Sequence, residues 1–390
     1  MGISTSRASK RNRCSCSEYY VVNQLGIPRF VWLLVSPKTT MEMIALYAIV
    51  LIYLLVLFCF IYGIRNNSKK GSSKRGGISV IIPFRNEQKE LNALLDSIEK
   101  MLVPACPVEF LFVSDYASEN AEQIIQNHQS KWSVRMLEND GAKGKKTALS
   151  TGVKQAKYEW IYTTDADCII PSNLFHVFST NSPEADLIAG PVLSLKTESF
   201  QAMNLASLSA FSAASSYWGI LTSISGANLF YKKQCFLETN PYRDNVHIPS
   251  GDDVFLLKKF REHKLQVSYW ASSENKVKTH EKETLKSFMR QQRRWSSKTA
   301  SLKSTSNSLI ALLIWTANLS IILSLFLLPW HTSIGVWILK ITIDALYFKS
   351  FYSVIEEPFP LRTYWKHAIT YPFFVSVLGW ISLKRKKNWD

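Results

Sequence analysis

EWIYTTDADC, residues 159–168, runs from an apolar stretch straight into two carboxylates. In extended backbone successive side chains alternate, so Asp165 and Asp167 point to the same side. Working outward, the same kind of apolar run appears at ISVIIP (78–83), VEFLFVS (108–114) and SVRMLE (133–138) before it, and at ADLIAGPV (185–192) after it. Helix-like segments separate the first four runs. Alternation of this kind builds a mainly parallel sheet covered by helices on both faces, an α/β fold. Such sheets bind ligands at the carboxyl ends of their strands. PFRNE, SDYASEN and DAD all fall at such ends.

Two carboxylates on one side make a hard-oxygen site suited to Mg2+ or Mn2+, above all when a diphosphate supplies further ligands. A strand-end turn is the competing reading of an isolated Asp-Ala-Asp, and the surrounding motifs decide against it. GAKGKKTAL (141–149) fails the phosphate-loop pattern, because position 139 is Asn and Lys146 follows Gly144-Lys145. It reads either as a helix start that brings Lys145 to a phosphate or as a solvated basic turn. Asp252-Asp253 opens an amphipathic helix, where one carboxylate can serve the helix N-terminus and the other can accept a proton.

The chain has 390 residues and a formal net charge of +16 with a pI near 9.5, which admits nucleic acid, an anionic bilayer or a phosphate-bearing substrate as partner. The positive charge is spread through linkers, tails and helices with no recognition motif, which argues against nucleic acid. The six cysteines form neither a disulfide framework nor a CxxC knuckle, in keeping with a reducing compartment.

Residues 43–62 are uncharged and long enough to span a bilayer, which predicts a transmembrane helix at 42–63, and the basic linker 64–76 places the next domain in the cytoplasm. Residues 1–40 fit that orientation poorly and are expected to be unstructured or not translated, with Met41 or Met43 as the start. A second span is expected at 308–328 and a third at 333–355, the latter interrupted by Lys340, Asp344 and Lys349. Residues 366–390 contain Pro372 and the KRKK tail, and read as an interfacial or membrane-dipping segment. The expected protein is integral to the inner or plasma membrane. His247, His263 and His280 read as surface residues, and Phe200, Phe211, Tyr217 and Trp218 as packing.

In order, IIPFRNE, Asp115 in VSDYASEN, GKKTAL, DAD at 165–167, SGAN at 225–228, GDDVFLL at 251–257 and QQRRW at 291–295 resemble the signature of membrane-bound inverting family 2 glycosyltransferases. The branch holds cellulose, hyaluronan and poly-N-acetylglucosamine synthases and ceramide glucosyltransferase. The resemblance covers 77–300 and implies a GT-A domain flanked by transmembrane helices. It implies that Asp115 contacts the nucleobase and that the chain around Pro83, Arg85 and Glu87 lines the same pocket. Asp165 and Asp167 match the DxD motif, Asp167 being favoured as the direct ligand of Mg2+ or Mn2+. Lys145, Asp165, Gln291 and Arg294 are assigned to the donor diphosphate, and Trp295, Gly226 and Asn228 to the acceptor.

Asp253 matches the last residue of the family's Thr-Glu-Asp motif, the catalytic base; the motif reads Gly251-Asp252-Asp253 here, which leaves Asp252 as the other candidate. Ser114-Asp115 stands where the family usually has Asp-Asp. The resemblance implies an enzyme that moves a sugar from a nucleotide-sugar, of the UDP class; because three spans are few to enclose a polysaccharide channel, the expected acceptor is a lipid-linked or membrane-surface glycan. A processive polysaccharide synthase subunit, acting with partner subunits, is the alternative within the family. A non-catalytic scaffold or transporter subunit is the alternative outside it. Gln291, Arg294 and Trp295 share one helix face, which would hold the site beside the membrane.

Overall fold

The computed structural model describes residues 37–67, 71, 75–86, 88–221, 223–248, 250–301 and 305–383. Most of the segment expected to be unstructured, 1–36, and Glu87 lie outside the described residues. The chain divides into two compact units, Met1–Ala48 and Ile49–Asp390. Among described residues the first holds only the opening turns of helix α1 (Pro37–Asn66).

The second unit is built on a seven-stranded sheet in the order β3-β2-β1-β4-β8-β6-β9. β1 (Ile78–Phe84), β2 (Val108–Ser114), β3 (Ser133–Glu138) and β4 (Trp160–Thr163) pair in parallel, with Ile78 opposite both Val108 and Trp160. β1 and β2 are buried along their whole length. Their alternate residues feed two cores: Val80, Ile82, Phe110 and Phe112 pack on one face, Ile81, Leu111 and Val113 on the other. A sheet buried on both faces explains why these runs are apolar throughout. α2 (Gln88–Glu99), α3 (Glu119–Gln126) and α4 (Lys145–Gln155) are the crossovers.

Beyond β4 the sheet departs from the expectation of one further parallel strand. ADLIAGPV divides at Gly190-Pro191: Leu187–Ala189 (β6) stays in the large sheet, and Val192–Ser194 (β7) enters a small one. Only glycine fits at the break, because a Cβ on residue 190 would lie 2.3 Å from Asn275 Nδ2 and 2.4 Å from Asn228 Nδ2. β8 (Leu229–Lys232) inserts antiparallel between β4 and β6, and β9 (Val267–Tyr269) closes the edge. The small sheet, order β5-β10-β7, joins Cys168–Ile169 (β5) and β7 to Val277–Thr279 (β10).

Helices α5 (Leu174–Asn181), α6 (Phe200–Tyr217), α7 (Lys233–Thr239), α8 (Asp252–Glu262) and α9 (Leu285–Ser301) complete the domain. α10 (Thr305–Leu327), α11 (Trp330–Val354) and α12 (Leu361–Leu383) follow. Met41–Asn66 and Ser308–Leu327 are long and apolar enough to cross a membrane, by length and composition. Pro372 lies inside α12, a helix of 23 residues. Tyr53, Leu57 and Phe60 of α1 and Phe351 and Tyr364 of α11 and α12 join the core that also contains Ile81 and Leu111. On α11 the buried Lys340 pairs with Asp344 (2.7 Å), whose other oxygen accepts from Tyr53 (2.8 Å). Glu357, between α11 and α12, pairs with Lys276 (2.9 Å) and Lys278 (3.0 Å) beside β10.

Candidate active site

The carboxyl ends of β1, β2 and β4 open into a cleft of about 1150 Å³. Pro83, Arg85, Asp115, Lys145, Asp165, Asp167, Gly226, Asp252, Asp253, Gln291, Arg294 and Trp295 all line it, although they span more than 200 residues of sequence.

Asp115 comes directly after β2 and is followed by Tyr116 in left-handed backbone (φ 56°). Its carboxylate is 7% exposed, and its Oδ1 accepts from the Gly144 amide (2.7 Å) and from Asn139 Nδ2 (2.9 Å). It therefore fixes the loop that delivers α4. Gly144 (φ 150°) caps that helix in a conformation closed to other residues, and Lys145 and Lys146 follow it in the first turn. Of the two readings of GAKGKKTAL, the helix start is the one found.

Lys145 reaches across the cleft. Its Nζ lies 2.5 Å from Asp165 Oδ1 and 3.0 Å from Asp252 Oδ2. Burial disfavours this ammonium, but the two carboxylates outweigh burial and hold its pKa well above the usual lysine range. Gly226 backs the pair: a Cβ there would stand 2.6 Å from Asp252 Oδ2 and 3.3 Å from Lys145 Nζ. Lys146 turns the other way, donating to the carbonyls of Asn245 (2.7 Å) and Ile248 (3.0 Å) with its Nζ 4.2 Å from the Phe255 ring centroid. It thereby ties down the 240–248 segment, which brings Arg243 and His247 into the cleft.

Asp165 and Asp167 lie not in extended backbone, as expected, but in a turn after β4 in which the Cys168 amide donates to the Asp165 carbonyl (3.1 Å), and both line the same cleft. Burial first, and then the negative charge of Asp165, push the Asp167 carboxyl up, while Lys282 Nζ at 3.9 Å pulls the other way. The small sheet makes this meeting possible by pairing Cys168 with Thr279, three residues before Lys282. Lys282 is itself held by Gln201, whose amide donates to its carbonyl (2.9 Å) and accepts from its N–H (3.1 Å). The described residues hold no group of three or more His, Cys, Asp or Glu arranged for a metal. Two crowded carboxylates with ammonium groups beside each fit a divalent cation whose other ligands come from a diphosphate.

The acidic pair at α8 separates into two environments. Gly251 caps the helix at φ 87°, a turn that suits glycine. Asp252 is buried against Lys145, whereas Asp253 Oδ1 accepts from the Val254 amide (2.8 Å) and its side chain lines both this cleft and a neighbouring apolar pocket.

Asn228 departs from its expected place. It is fully buried and lines no part of the cleft; its amide donates to the carbonyls of Pro191 and Asn275, both at 3.0 Å, and it accepts from Tyr162 (3.3 Å). A turn at Gly226-Ala227 breaks the alternation that would have kept Gly226 and Asn228 on one side. The structure brings in residues that the sequence did not single out, among them Gln201, Arg243, Lys282 and Gln292. His247 and His280, read from sequence as surface residues, are exposed but line the cleft, while His263 does not. Phe211 meets Phe60, and Tyr217 and Trp218 pack on Tyr62.

The glycosyl transferase family 2 profile matches residues 79–187, and that of glycosyl transferase family group 2 matches 160–377, more than half of the chain. The chain belongs to the family 2 glycosyltransferases. It is similar to the poly-beta-1,6-N-acetyl-D-glucosamine synthase of Staphylococcus epidermidis, 26% identical over 165 residues that make up 40% of each protein. It is also similar to the poly(ribitol-phosphate) beta-N-acetylglucosaminyltransferase TarS of Staphylococcus aureus, 29% identical over 23% of this chain and 16% of that one. The chain thus spans well under half the length of these curated relatives. Among solved structures, the mannosyltransferase PcManGT from Pyrobaculum calidifontis, in complex with GDP-Man and Mn2+, superposes with a TM-score of 0.51 at 14% identity, over 88% of this chain and 97% of that one. At that identity the likeness establishes the GT-A fold and nothing finer. Family membership also removes the non-catalytic scaffold reading.

Proposed function

We propose that the protein transfers a sugar from a nucleotide-sugar, of the UDP class, to the hydroxyl of a lipid-linked or membrane-surface acceptor, with inversion at the anomeric carbon. The observation that carries this is the convergence of Asp115, Asp165 and Asp167, Asp252 and Asp253, and Gln291, Arg294 and Trp295 on one cleft from four separate segments. The N-acetylglucosaminyltransferase names of the curated relatives support the donor class.

In this reading Pro83, Arg85 and Asp115 border the nucleoside end of the cleft, and Gln291 and Arg294 on α9 face the diphosphate. Asp165 and Asp167 would hold Mg2+ or Mn2+, which would offset charge on the diphosphate oxygens. Lys145, kept protonated by its two carboxylates, adds fixed positive charge to the same end. Asp253 takes the proton of the acceptor hydroxyl. That oxygen forms its bond to the anomeric carbon from the face opposite the diphosphate, the carbon–oxygen bond to the diphosphate breaks, and the nucleoside diphosphate leaves with the electron pair. Asp253 is favoured over Asp252 as base because its side chain lines both the cleft and the pocket behind it, where an acceptor would enter, whereas Asp252 lines the cleft alone. The catalytic domain would lie on the cytoplasmic side of the inner or plasma membrane.

The polymerising activity named for the Staphylococcus epidermidis relative favours one second reading, a processive polysaccharide synthase subunit. The test is transfer from labelled UDP-sugars by the full chain with Mg2+ or Mn2+, the product being sized. Cation-dependent addition of a single sugar supports the proposal, a polymer supports the second reading, and failure to bind any UDP-sugar contradicts both.

A further inference from the structure

Behind Trp295 the cleft adjoins a second pocket, of about 400 Å³, walled by α1, α6, α10, α11 and α12. The two cavities share Val192, Leu205, Ser225, Asp253, Gln292 and Trp295. A volume of this order suits a small molecule or a single chain.

The wall is apolar over most of its surface, its one unpartnered buried polar atom among the described residues other than that of Gln292 being His367 Nε2 on α12. Leu57, Phe60, Phe211, Leu313 and Ile314 supply its surface. Three of its five serines turn their hydroxyls to the backbone: Ser207 donates to Asn204 O (2.8 Å), Ser209 to Val192 O (3.0 Å) and Ser212 to Ser223 O (2.7 Å). Asp344 is satisfied by Tyr53 and Lys340. A carbohydrate strand needs hydrogen-bond partners for its hydroxyls along its length, and such a wall would strip their water without replacing it. A hydrocarbon chain loses nothing there and gains burial.

At the junction of the two cavities stands Gln292. It is 5% exposed, and its Nε2 is a buried donor with no hydrogen-bond partner. Buried amide donors are nearly always paired, so this one calls for an acceptor atom. We infer that the apolar pocket is the acceptor subsite and that it takes the hydrocarbon chain of a hydroxyl-bearing lipid. Gln292 positions the oxygen-rich head of that lipid so that its hydroxyl meets Asp253. This inference rests on the proposed function and narrows its acceptor to a lipid alcohol.

The experiment uses the full chain in detergent micelles and a diazirine-bearing long-chain monoacylglycerol as photoprobe, with stabilisation by UDP as the check on folding and donor binding. Label should concentrate in peptides of α6 and α10 that line the pocket, and fall about tenfold in Ala311→Trp, which fills it, but not in Leu325→Trp, which faces outward on the same helix. In parallel, Gln292→Leu should raise the half-saturating concentration of a membrane-lipid extract about tenfold in transfer assays, leaving that of the donor in place, with Gln292→Asn partly restoring it. Label spread evenly over outward surfaces, or unchanged by Ala311→Trp while UDP still stabilises the protein, overturns the subsite and leaves the transferase reading standing. Pocket labelling without any UDP stabilisation overturns the transferase reading and the acceptor role with it.

Discussion

The Lys145 ammonium lies 3.0 Å from the Asp252 carboxylate, which fixes Asp252 against the start of α4. Asp252 balances a lysine at the floor of the cleft, and Asp253 faces the junction where an acceptor would enter. Asp253→Asn should lower kcat by about a hundredfold to ten-thousandfold, the range of general-base catalysis, with donor affinity nearly unchanged. Asp252→Asn should instead weaken donor binding, because it unbalances Lys145. Steady-state kinetics alongside donor titration separates them, and the opposite pattern would move the base to Asp252.

Gly226 is required by contact, since a methyl group there would meet the Asp252 carboxylate at 2.6 Å. Gly226→Ala should displace the Lys145–Asp252 pair and cost on the order of a hundredfold in kcat/KM, as small misplacements in active sites do. Circular dichroism should show the fold intact. Wild-type kcat/KM in this variant would show that the pair tolerates movement.

The raised pKa of Asp167 sets a direction for the acid limb of the pH profile. Its carboxyl gains a proton at higher pH than an ordinary aspartate, so any function of its charged form is lost earlier on acidification. Lys282 opposes that shift, so Lys282→Met should move the acid limb of kcat/KM to still higher pH. A limb that stays put or moves down would remove Asp167 from the donor site.

Glu357 tests the attachment of α11 and α12 to the domain. Burial disfavours its charge, yet Lys276 and Lys278 outweigh burial and hold its carboxyl below the usual range. A depressed carboxyl contributes stability above its unfolded pKa, lost as pH falls through the folded value. Glu357→Gln should cost about 1.5–3 kcal/mol near neutral pH, the range for hydrogen bonds to charged groups, read as a lower unfolding temperature. The deficit should shrink on acidification.

Much of this arrangement is legible in the chain. VEFLFVS is a strand with the bounds its apolar run suggests because a central parallel strand is buried on both faces, whereas SVRMLE, at the sheet edge, shows itself by alternation of half-buried and exposed residues. LFYK (229–232) escaped notice because four residues carry too short a pattern, and ADLIAGPV looked like one strand because the partners that divide it, β8 and β9 for Leu187–Ala189 and β10 for Val192–Ser194, lie far along the chain. Asp165, Asp252 and Trp295 could be placed from motif order. Asn228 could not, since a motif gives proximity while the turn at 226–227 decides orientation. Lys282 matters through Asp167, and Gln292 through the two cavities it stands between, and only the folded chain brings these together.

The central claim is inverting transfer to a membrane-borne hydroxyl, and the most direct measurement is the fate of the sugar. The full chain, given a labelled UDP-sugar, Mg2+ or Mn2+ and a membrane-lipid extract, should yield an organic-soluble product with one sugar whose anomeric proton coupling shows inversion. A product of retained configuration, or label recovered only as free sugar or water-soluble polymer, would contradict the account.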